Sequence, residues 1–290
     1  MTNCIRVEPM DATLGAAVRG IDLREPLGDE AFGALHDAWL EHAVLVFPEQ
    51  FLDDESHQAF SRRFGRLERV ITRREGSTVV ISNLSNVRED GSLIEPDGRR
   101  ALFLKGNSYW HTDSSFKRVP AKASILSARQ VPTEGGETEF ADMRAAWDRL
   151  EPEMQSRLEG TVALHSYRYS QGKVGGLDLL GEDDLDNLPP VEHPVVRTHP
   201  ETGRKNLYIG RHASHILGED VAESRELLET LCDEACRPPR TFSHRWKAGD
   251  LVMWDNRCVL HRGRPYPPDQ PRQMRRTTVA GDQADNEWAV

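Results

Sequence analysis

The sequence contains few cysteines, and their number limits the kind of protein it can encode. Only four are present in 290 residues, namely Cys4, Cys232, Cys236 and Cys258. Four scattered thiols cannot form the disulfide framework of a small secreted domain, so we expect a reducing, cytoplasmic location. Cys232 and Cys236 lie four apart in a predicted helix, and we interpret them as partly buried thiols, not as a metal or redox pair.

Long apolar runs are also missing. No stretch approaches the roughly 20 apolar residues that a membrane-spanning helix needs. Residues 1–6 lack the apolar centre of a signal peptide. We therefore expect no membrane partner. Because the sequence also has no internal repeat, low-complexity tract or evident linker, we predict that residues 1–290 form a single domain.

Basic residues are in the minority. The chain has 37 Lys and Arg against 47 Asp and Glu, which gives a net charge of −10. Nucleic-acid binding needs a basic face, so we expect no nucleic-acid partner. The balance still permits a local basic pocket for a small acid. The apolar fraction of 38% is sufficient for a sizeable core and too large for a disordered chain.

Short apolar segments indicate a chain that is mainly β. Residues 43–47 are wholly apolar and end at Pro48, which predicts a buried strand. Further strands are predicted at 79–83, 123–128, 161–169, 195–198, 205–209, 251–254 and 275–280. Helices are predicted to begin near residues 29, 54, 142, 152 and 221. Residues 170–190 are rich in Gly and Asp and predict a long loop, either a functional lid or a disordered segment. Many strands with few helices predict one β-sandwich or open barrel with helices packed outside.

Two residues near the middle of the chain have the spacing of metal ligands. His111 and Asp113 are two apart, so on a strand both side chains project from one face, while Thr112 points away. Alone the pair is weak evidence, because His-x-Asp is frequent by chance and also fits a surface or structural role. His261 follows 148 residues after Asp113. Two histidines and one carboxylate form the facial triad that holds Fe(II) and leaves positions open for a co-substrate and dioxygen.

Arginines after His261 form a candidate anion-binding group. Arg272 and Arg276 are four apart and would share a face of one strand, whereas Arg275 would face away. A guanidinium can bind a carboxylate through two parallel hydrogen bonds, which a lysine cannot do. A solvated basic edge strand is the alternative interpretation.

Longer segments carry more information than these single residues. They are WHTDSSF at 110–116, GGETEFADMRAA at 135–146, IGRHASH at 209–215 and GDLVMWDNRCVLHRG at 249–263. In these segments the chain resembles the taurine dioxygenase/2,4-dichlorophenoxyacetate dioxygenase family of Fe(II)- and 2-oxoglutarate-dependent oxygenases, most closely its phenoxyalkanoate branch. The resemblance covers about residues 7–282. It implies a fold that is mainly β with flanking helices: a double-stranded β-helix, also called a jelly roll or cupin-like fold.

The resemblance also assigns residues to the cofactors, which are Fe(II), the co-substrate 2-oxoglutarate and O2. The implied catalytic residues and iron ligands are His111, Asp113 and His261. Arg272 and Thr138 would bind the distal carboxylate of 2-oxoglutarate, and Trp254 would line the co-substrate region. Arg276 would lie closer to the iron and contact 2-oxoglutarate or the acidic group of the main substrate.

Substrate-binding residues are predicted around this centre. The candidates are Asn107, Ser114, Ile81 and His215, together with Arg276. Apart from Arg276, each fits a structural role as well as a functional one. Residues 69–105 depart most from the phenoxyacetate pattern, and Arg73, Arg74 or Lys105 could supply the cations expected there.

The implied function is hydroxylation of an aryloxyalkanoate, of the 2,4-dichlorophenoxyacetate or phenoxypropionate type, at the carbon beside the ether oxygen. This would release a phenol and an oxo acid, with succinate and CO2, as in herbicide catabolism. We expect a small-molecule carboxylic acid as substrate and a homo-oligomeric protein. The alternatives are a taurine, alkylsulfonate or sulfate-ester dioxygenase of the same family and, in another class, a non-catalytic binding module. The first alternative shares the iron and co-substrate residues, so only the pocket walls can discriminate.

Overall fold

Strands predominate in the part of the chain that the computed structural model describes, which is residues 5–70, 79–94, 102, 105–177, 188–283 and 289. The strands are β1 (Arg6–Pro9), β2 (Ala16–Arg19), β3 (Val44–Phe47), β4 (Ile81–Ser85), β5 (Ala123–Gln130), β6 (Thr138–Asp142), β7 (Val162–His165), β8 (Val191–Pro194), β9 (Val196–Thr198), β10 (Lys205–Leu207), β11 (Ala213–Ile216), β12 (Thr241–His244), β13 (Leu251–Asp255), β14 (Val259–Gly263) and β15 (Gln273–Val279). The helices are α1 (Asp29–His42), α2 (Asp54–Arg62), α3 (Met143–Asp148), α4 (Pro152–Leu158), α5 (Tyr167–Gly172) and α6 (Val221–Ala235). None of these helices is long and apolar enough to span a bilayer.

The large sheet has seven strands in the order β1-β2-β3-β13-β5-β15-β4. Its neighbouring strands are antiparallel except for the parallel pair β2 and β3. Side chains of the central strand β13 alternate between two cores. Leu251 and Met253 pack on one face, and Val252 and Trp254 pack on the other. Both faces of the sheet are therefore buried, as the continuous apolar runs predict.

Smaller sheets lie opposite the large one. They are β12-β6-β14, β11-β7-β8 and the hairpin β10-β9. One apolar cluster contains Val252 and Trp254 of the large sheet together with Phe140 of β6 and Val259 of β14. The two layers thus pack face to face as a jelly roll, and the predicted fold class is confirmed.

Helices cover the outer faces of both layers. Leu35 and Trp39 of α1, with Phe60 of α2, pack on the outer face of the large sheet. Helices α3, α4 and α6 contribute to a third cluster with β6, β7 and β14. Asp142 caps α3 as predicted, because its carboxylate accepts hydrogen bonds from the backbone of Arg144 and Ala145.

Several predicted boundaries differ from the structure. The strand predicted at 161–169 ends at His165, because the Ser166 hydroxyl accepts a hydrogen bond from Tyr169 N and caps α5. Asp29 is the first residue of α1 and does not cap it; Gly28 occupies the cap position. The strand predicted at 79–83 is displaced to Ile81–Ser85. Of the long loop predicted at 170–190, residues 178–187 lie outside the described residues.

Candidate active site

The three predicted metal ligands converge. His111 and His261 face each other across an antiparallel bridge, with His111 N donating to His261 O at 3.0 Å and His261 N donating to His111 O at 2.8 Å. Asp113 completes the group: its Oδ1 lies 4.0 Å from His111 Nε2 and its Oδ2 lies 3.7 Å from His261 Nε2. All three side chains are buried, and their ligand atoms lie within 4.8 Å of one another.

Protonation favours metal binding at this group. Burial lowers the pKa of His111 well below its usual value and that of His261 to about 4, so both imidazoles are neutral. His111 Nδ1 lies 2.7 Å from the carbonyl of Tyr109, which places the proton on Nδ1 and leaves the Nε2 lone pair facing Asp113. Burial opposes ionisation of Asp113, but the Arg276 guanidinium and the hydrogen bond from Ser124 hold its pKa below the usual carboxyl range. Two neutral imidazoles and one carboxylate are the donor set that Fe(II) accepts in non-haem oxygenases.

A hydrogen-bond network fixes the Asp113 carboxylate. Ser124 Oγ donates to Asp113 Oδ2 at 2.7 Å, and Arg276 Nη1 donates to Oδ1 at 2.8 Å. Asn256 Nδ2 donates to Ser124 Oγ at 2.9 Å, while Asn256 Oδ1 accepts from Asp113 N at 3.2 Å and from Trp254 Nε1 at 3.0 Å. Sequence reasoning missed Ser124 and Asn256, although Asn256 lies in a segment that carried the family resemblance.

Two residues of the triad, His111 and His261, border a cavity of about 350 Å³. Seven of the predicted site residues line it: Asn107, His111, Thr138, Trp254, His261, Arg272 and Arg276. Its other walls are mainly apolar and include Leu84, Ile94, Leu126, Pro265, Tyr266 and Pro268, with Lys105 and Arg264 as additional cations. A concave, mostly apolar pocket with a few convergent polar groups is the usual form of a small-molecule site.

Arg272 lies in this cavity as a buried cation. Only 9% of Arg272 is exposed, and burial lowers its pKa. Its Nη2 donates to Gly136 O at 3.3 Å, and its Nε has no hydrogen-bond partner among the described residues. No carboxylate of the described chain pairs with it. Because a buried guanidinium without a counter-ion is costly, this site fits an anionic group such as the distal carboxylate of 2-oxoglutarate.

The surroundings of Arg272 explain the adjacent glycines. A Cβ at Gly136 would lie 3.2 Å from Arg272 Nε, and a Cβ at Gly135 would overlap the Pro265 carbonyl oxygen. Both glycines have positive φ, which is 69° at Gly135 and 72° at Gly136. Asn86, another residue that sequence reasoning missed, holds the arginine backbone: its Oδ1 accepts from Arg272 N at 2.7 Å.

Three predicted substrate residues lie outside the cavity wall. Ser114, at φ 60°, donates from Oγ to Glu68 Oε2 at 2.8 Å, because that backbone conformation turns it towards the buried Glu68–Lys117 ion pair. Ile81 belongs to β4, but the cavity is lined by Leu84 of that strand. His215 lines a separate cavity with Tyr169, Lys173 and Arg225. Arg73 and Arg74 lie outside the described residues, whereas Lys105 lines the active-site cavity.

A second buried cluster, which consists of His199, Asp255 and Cys258, also has metal-ligand geometry. His199 Nδ1 accepts hydrogen bonds from the backbone of residues 201 and 202, so its Nε2 carries the proton and donates to Asp255 Oδ2 at 3.0 Å. Arg257 binds both oxygens of Asp255, and burial raises the pKa of the Cys258 thiol. Because hydrogen bonds and ion pairs already occupy the atoms of His199 and Asp255 that could bind a metal, we interpret the cluster as a structural ion-pair network.

A jelly roll that brings two imidazoles and a carboxylate to a cavity, beside a buried arginine, defines an Fe(II)- and 2-oxoglutarate-dependent dioxygenase. A sequence model for "Taurine catabolism dioxygenase TauD, TfdA family" matches residues 6–278, and the chain belongs to that family.

Characterised relatives agree with this assignment. The chain is 45% identical over 291 residues to the (S)-phenoxypropionate/alpha-ketoglutarate-dioxygenase of Sphingobium herbicidovorans, covering 98% of each chain. It is 43% identical to the alpha-ketoglutarate-dependent 2,4-dichlorophenoxyacetate dioxygenase of Cupriavidus pinatubonensis, covering 94% of this chain and 97% of the relative. The crystal structure of AAD-2 in complex with Mn(II) and N-oxalylglycine superposes with a TM-score of 0.89 at 41% identity, covering 97% of this chain and 98% of AAD-2.

Proposed function

We propose that the chain hydroxylates an aryloxyalkanoate, of the phenoxypropionate or 2,4-dichlorophenoxyacetate type, at the carbon beside the ether oxygen. The observation that carries this proposal is the combination of a mainly apolar cavity wall with two guanidinium groups, those of Arg272 and Arg276, whose Nε atoms have no hydrogen-bond partner among the described residues. An aryl ring needs the apolar wall, and a carboxylate needs the cation. Two relatives are named for these substrates. The taurine alternative would require more polar walls.

His111, Asp113 and His261 would hold the iron in this proposal. Bound Fe(II), together with 2-oxoglutarate and O2, supplies the oxidising power that replaces a C–H bond with C–OH while 2-oxoglutarate becomes succinate and CO2. Ser124 and Arg276 keep the Asp113 carboxylate in one orientation, so that the ligand set is formed before the metal binds.

The remaining residues bind and orient the two acids. Arg272 and Thr138 would bind the distal carboxylate of 2-oxoglutarate, since no carboxylate among the described residues forms an ion pair with Arg272. Arg276 Nε is also buried and has no hydrogen-bond partner in the part of the chain that the structure describes, which leaves it available for the acidic group of 2-oxoglutarate or of the substrate. Lys105 is a further candidate for the substrate carboxylate. Apolar walls exclude water from the reacting carbon. The hydroxylated carbon bears both OH and ether oxygen, so the product collapses to a phenol and an oxo acid.

Substrate turnover provides the test. Purified enzyme with Fe(II) and 2-oxoglutarate should form succinate and release phenol from phenoxyacetate or from either enantiomer of phenoxypropionate. Alanine at His111, Asp113 or His261 should abolish this turnover. Activity with taurine or an alkyl sulfate alone would overturn the proposed substrate class, and turnover retained in the ligand variants would overturn the iron site.

We also propose that residues 1–290 form one domain of a cytoplasmic homo-oligomer. The single domain is supported by β1, near the start of the chain, and β15, near its end, which belong to the same sheet. The unpaired thiols Cys232, Cys236 and Cys258 fit a reducing compartment. Light scattering after size-exclusion chromatography tests the oligomeric state, and a monomer would contradict it.

A further inference from the structure

Trp246 contacts the candidate co-substrate site without lining it. Its indole Nε1 donates a hydrogen bond of 2.9 Å to Thr138 Oγ1, and both residues are buried. Thr138 lies on the central strand β6, where His244 and Gly263 are its register partners on either side. The indole is held in place by His244, whose ring packs against it at 4.7 Å, edge to face. The Thr138 hydroxyl therefore accepts a hydrogen bond from a fixed indole that does not itself line the cavity.

This contact decides what the hydroxyl can do. An indole N–H only donates, so Thr138 Oγ1 must be the acceptor in this hydrogen bond. The hydroxyl keeps its single proton, and no hydrogen bond found among the described residues uses that proton. Thr138 also lines the cavity that contains Arg272. We infer that Trp246 is a positioning residue, which commits the Thr138 hydroxyl to donate to the distal carboxylate of 2-oxoglutarate.

This inference rests on the proposed binding of that carboxylate by Arg272 and Thr138. It adds a physical reason why Arg272 and Thr138 would select a co-substrate that carries a second carboxylate. Hydrogen bonds in a chain polarise one another, so a hydroxyl that accepts from Trp246 becomes a stronger donor to an anion. A merely structural role would require only that the indole find some acceptor, and it would make no distinction between co-substrates with and without a second carboxylate.

A double-mutant cycle tests the inference. The dissociation constant of 2-oxoglutarate is measured by calorimetry on Mn(II)-loaded wild type, Trp246→Phe, Thr138→Val and the double variant. Trp246→Phe should weaken binding about 3- to 10-fold, the range of one hydrogen bond. The double variant should bind as Thr138→Val alone does, because Trp246 acts only through that hydroxyl. In Fe(II) turnover, Trp246→Phe should raise the KM for 2-oxoglutarate and leave kcat at saturation unchanged.

Two comparisons complete the design. Trp147, which is 6% exposed against 7% for Trp246, lies in α3 away from the cavity, and Trp147→Phe should leave the affinity for 2-oxoglutarate unchanged. 2-Oxovalerate, with a methyl group in place of the distal carboxylate, should bind wild type and Trp246→Phe equally. Equal weakening of both co-substrates, or no weakening of 2-oxoglutarate in Trp246→Phe, would overturn the inference. If Thr138→Val and Arg272→Met also bind 2-oxoglutarate as wild type does, the proposed co-substrate site itself fails.

Discussion

The hydroxyl of Ser124 donates a hydrogen bond of 2.7 Å to Oδ2 of Asp113. Ser124 is fully buried on β5, and it can donate to the carboxylate because its own oxygen accepts from Asn256 Nδ2 at 2.9 Å. The direction of both hydrogen bonds is therefore fixed, and the carboxylate is presented to the two imidazoles in one orientation.

Removal of this hydroxyl should weaken metal binding. In Ser124→Ala we expect the Mn(II) affinity to fall on the order of 10- to 100-fold, as is usual when a group that orients a metal ligand is lost. Titration calorimetry of the metal-free protein measures the change. Ser127→Ala is the matched control, because Ser127 lies buried on the same strand and contacts His57, not Asp113. Equal affinities in wild type and Ser124→Ala would contradict the orienting role.

Substitution of Arg272 should separate charge from geometry in co-substrate binding. Loss of one partner of a buried charged pair costs about 2–5 kcal/mol, so Arg272→Met should weaken 2-oxoglutarate binding by roughly 30-fold or more. Arg272→Lys keeps the charge but cannot form two parallel hydrogen bonds, and an intermediate affinity is expected. Calorimetry on the Mn(II)-loaded protein gives both values. A lysine variant that matches wild type would show that only charge matters.

The turn at Gly135 should not tolerate a side chain. Alanine there combines a positive φ of 69° with overlap of the Pro265 carbonyl oxygen. Gly203 has the same φ of 69° but nothing within 4 Å of an added Cβ. Gly203→Ala should therefore cost only the backbone strain of about 1 kcal/mol, and Gly135→Ala about 1–3 kcal/mol more. Urea unfolding measures both changes in unfolding free energy. Equal values for the two variants would show that the loop around Pro265 moves away from the added Cβ at no cost.

Acid should destabilise the protein through buried histidines such as His57. Burial lowers the pKa of His57 to about 4 from its ordinary value of 6.5. Because the folded pKa lies below the unfolded one, the unfolded state binds the proton more readily. The stabilisation present above pH 6.5 is then lost as the pH falls towards 4.

The size of this loss can be isolated with His57→Gln. The pKa difference corresponds to about 3 kcal/mol of unfolding free energy. The difference in unfolding free energy between wild type and variant should therefore be larger at pH 7.5 than at pH 4.5, by roughly that amount. Urea unfolding at both pH values measures the difference. A gap that is independent of pH would show that His57 does not carry this effect.

Several site residues could be predicted because their chemistry is local in sequence. The two-residue spacing of His111 and Asp113 indicated the pair, although His111 lies at an isolated β-bridge and Asp113 in the turn after it, not on one strand. The segments around His261 carried the family resemblance. Arg275 was predicted to face away from the cavity, and it pairs with Asp54 at 3.4 Å. Arg272 and Arg276 both line the cavity, as predicted, but they do not lie on one regular strand. Arg272 precedes β15, and the pairing register of β15 shifts between Gln273 and Met274.

Other features depended on contacts that the sequence does not display. Ser124 is 132 residues from Asn256, and Thr138 is 108 residues from Trp246, so neither hydrogen bond follows from spacing. Ser114 follows the candidate iron carboxylate directly, yet its positive φ turns it to Glu68. His215 was predicted as a substrate-binding residue, but β11 places it at another cavity. Backbone conformation and the pairing of distant strands decided these outcomes.

The reciprocal hydrogen bonds between the backbones of His111 and His261 join two segments that lie far apart in the chain. Closing so large a loop is entropically costly and belongs to the slow, non-local part of folding. A partly folded chain without this bridge brings together at most two of the three ligands, His111 and Asp113. Metal will therefore favour the completed fold over every intermediate, and its contribution will grow with the logarithm of its concentration above the dissociation constant. Metal binding therefore stabilises the pairing of these two distant segments as well as the positions of the three side chains.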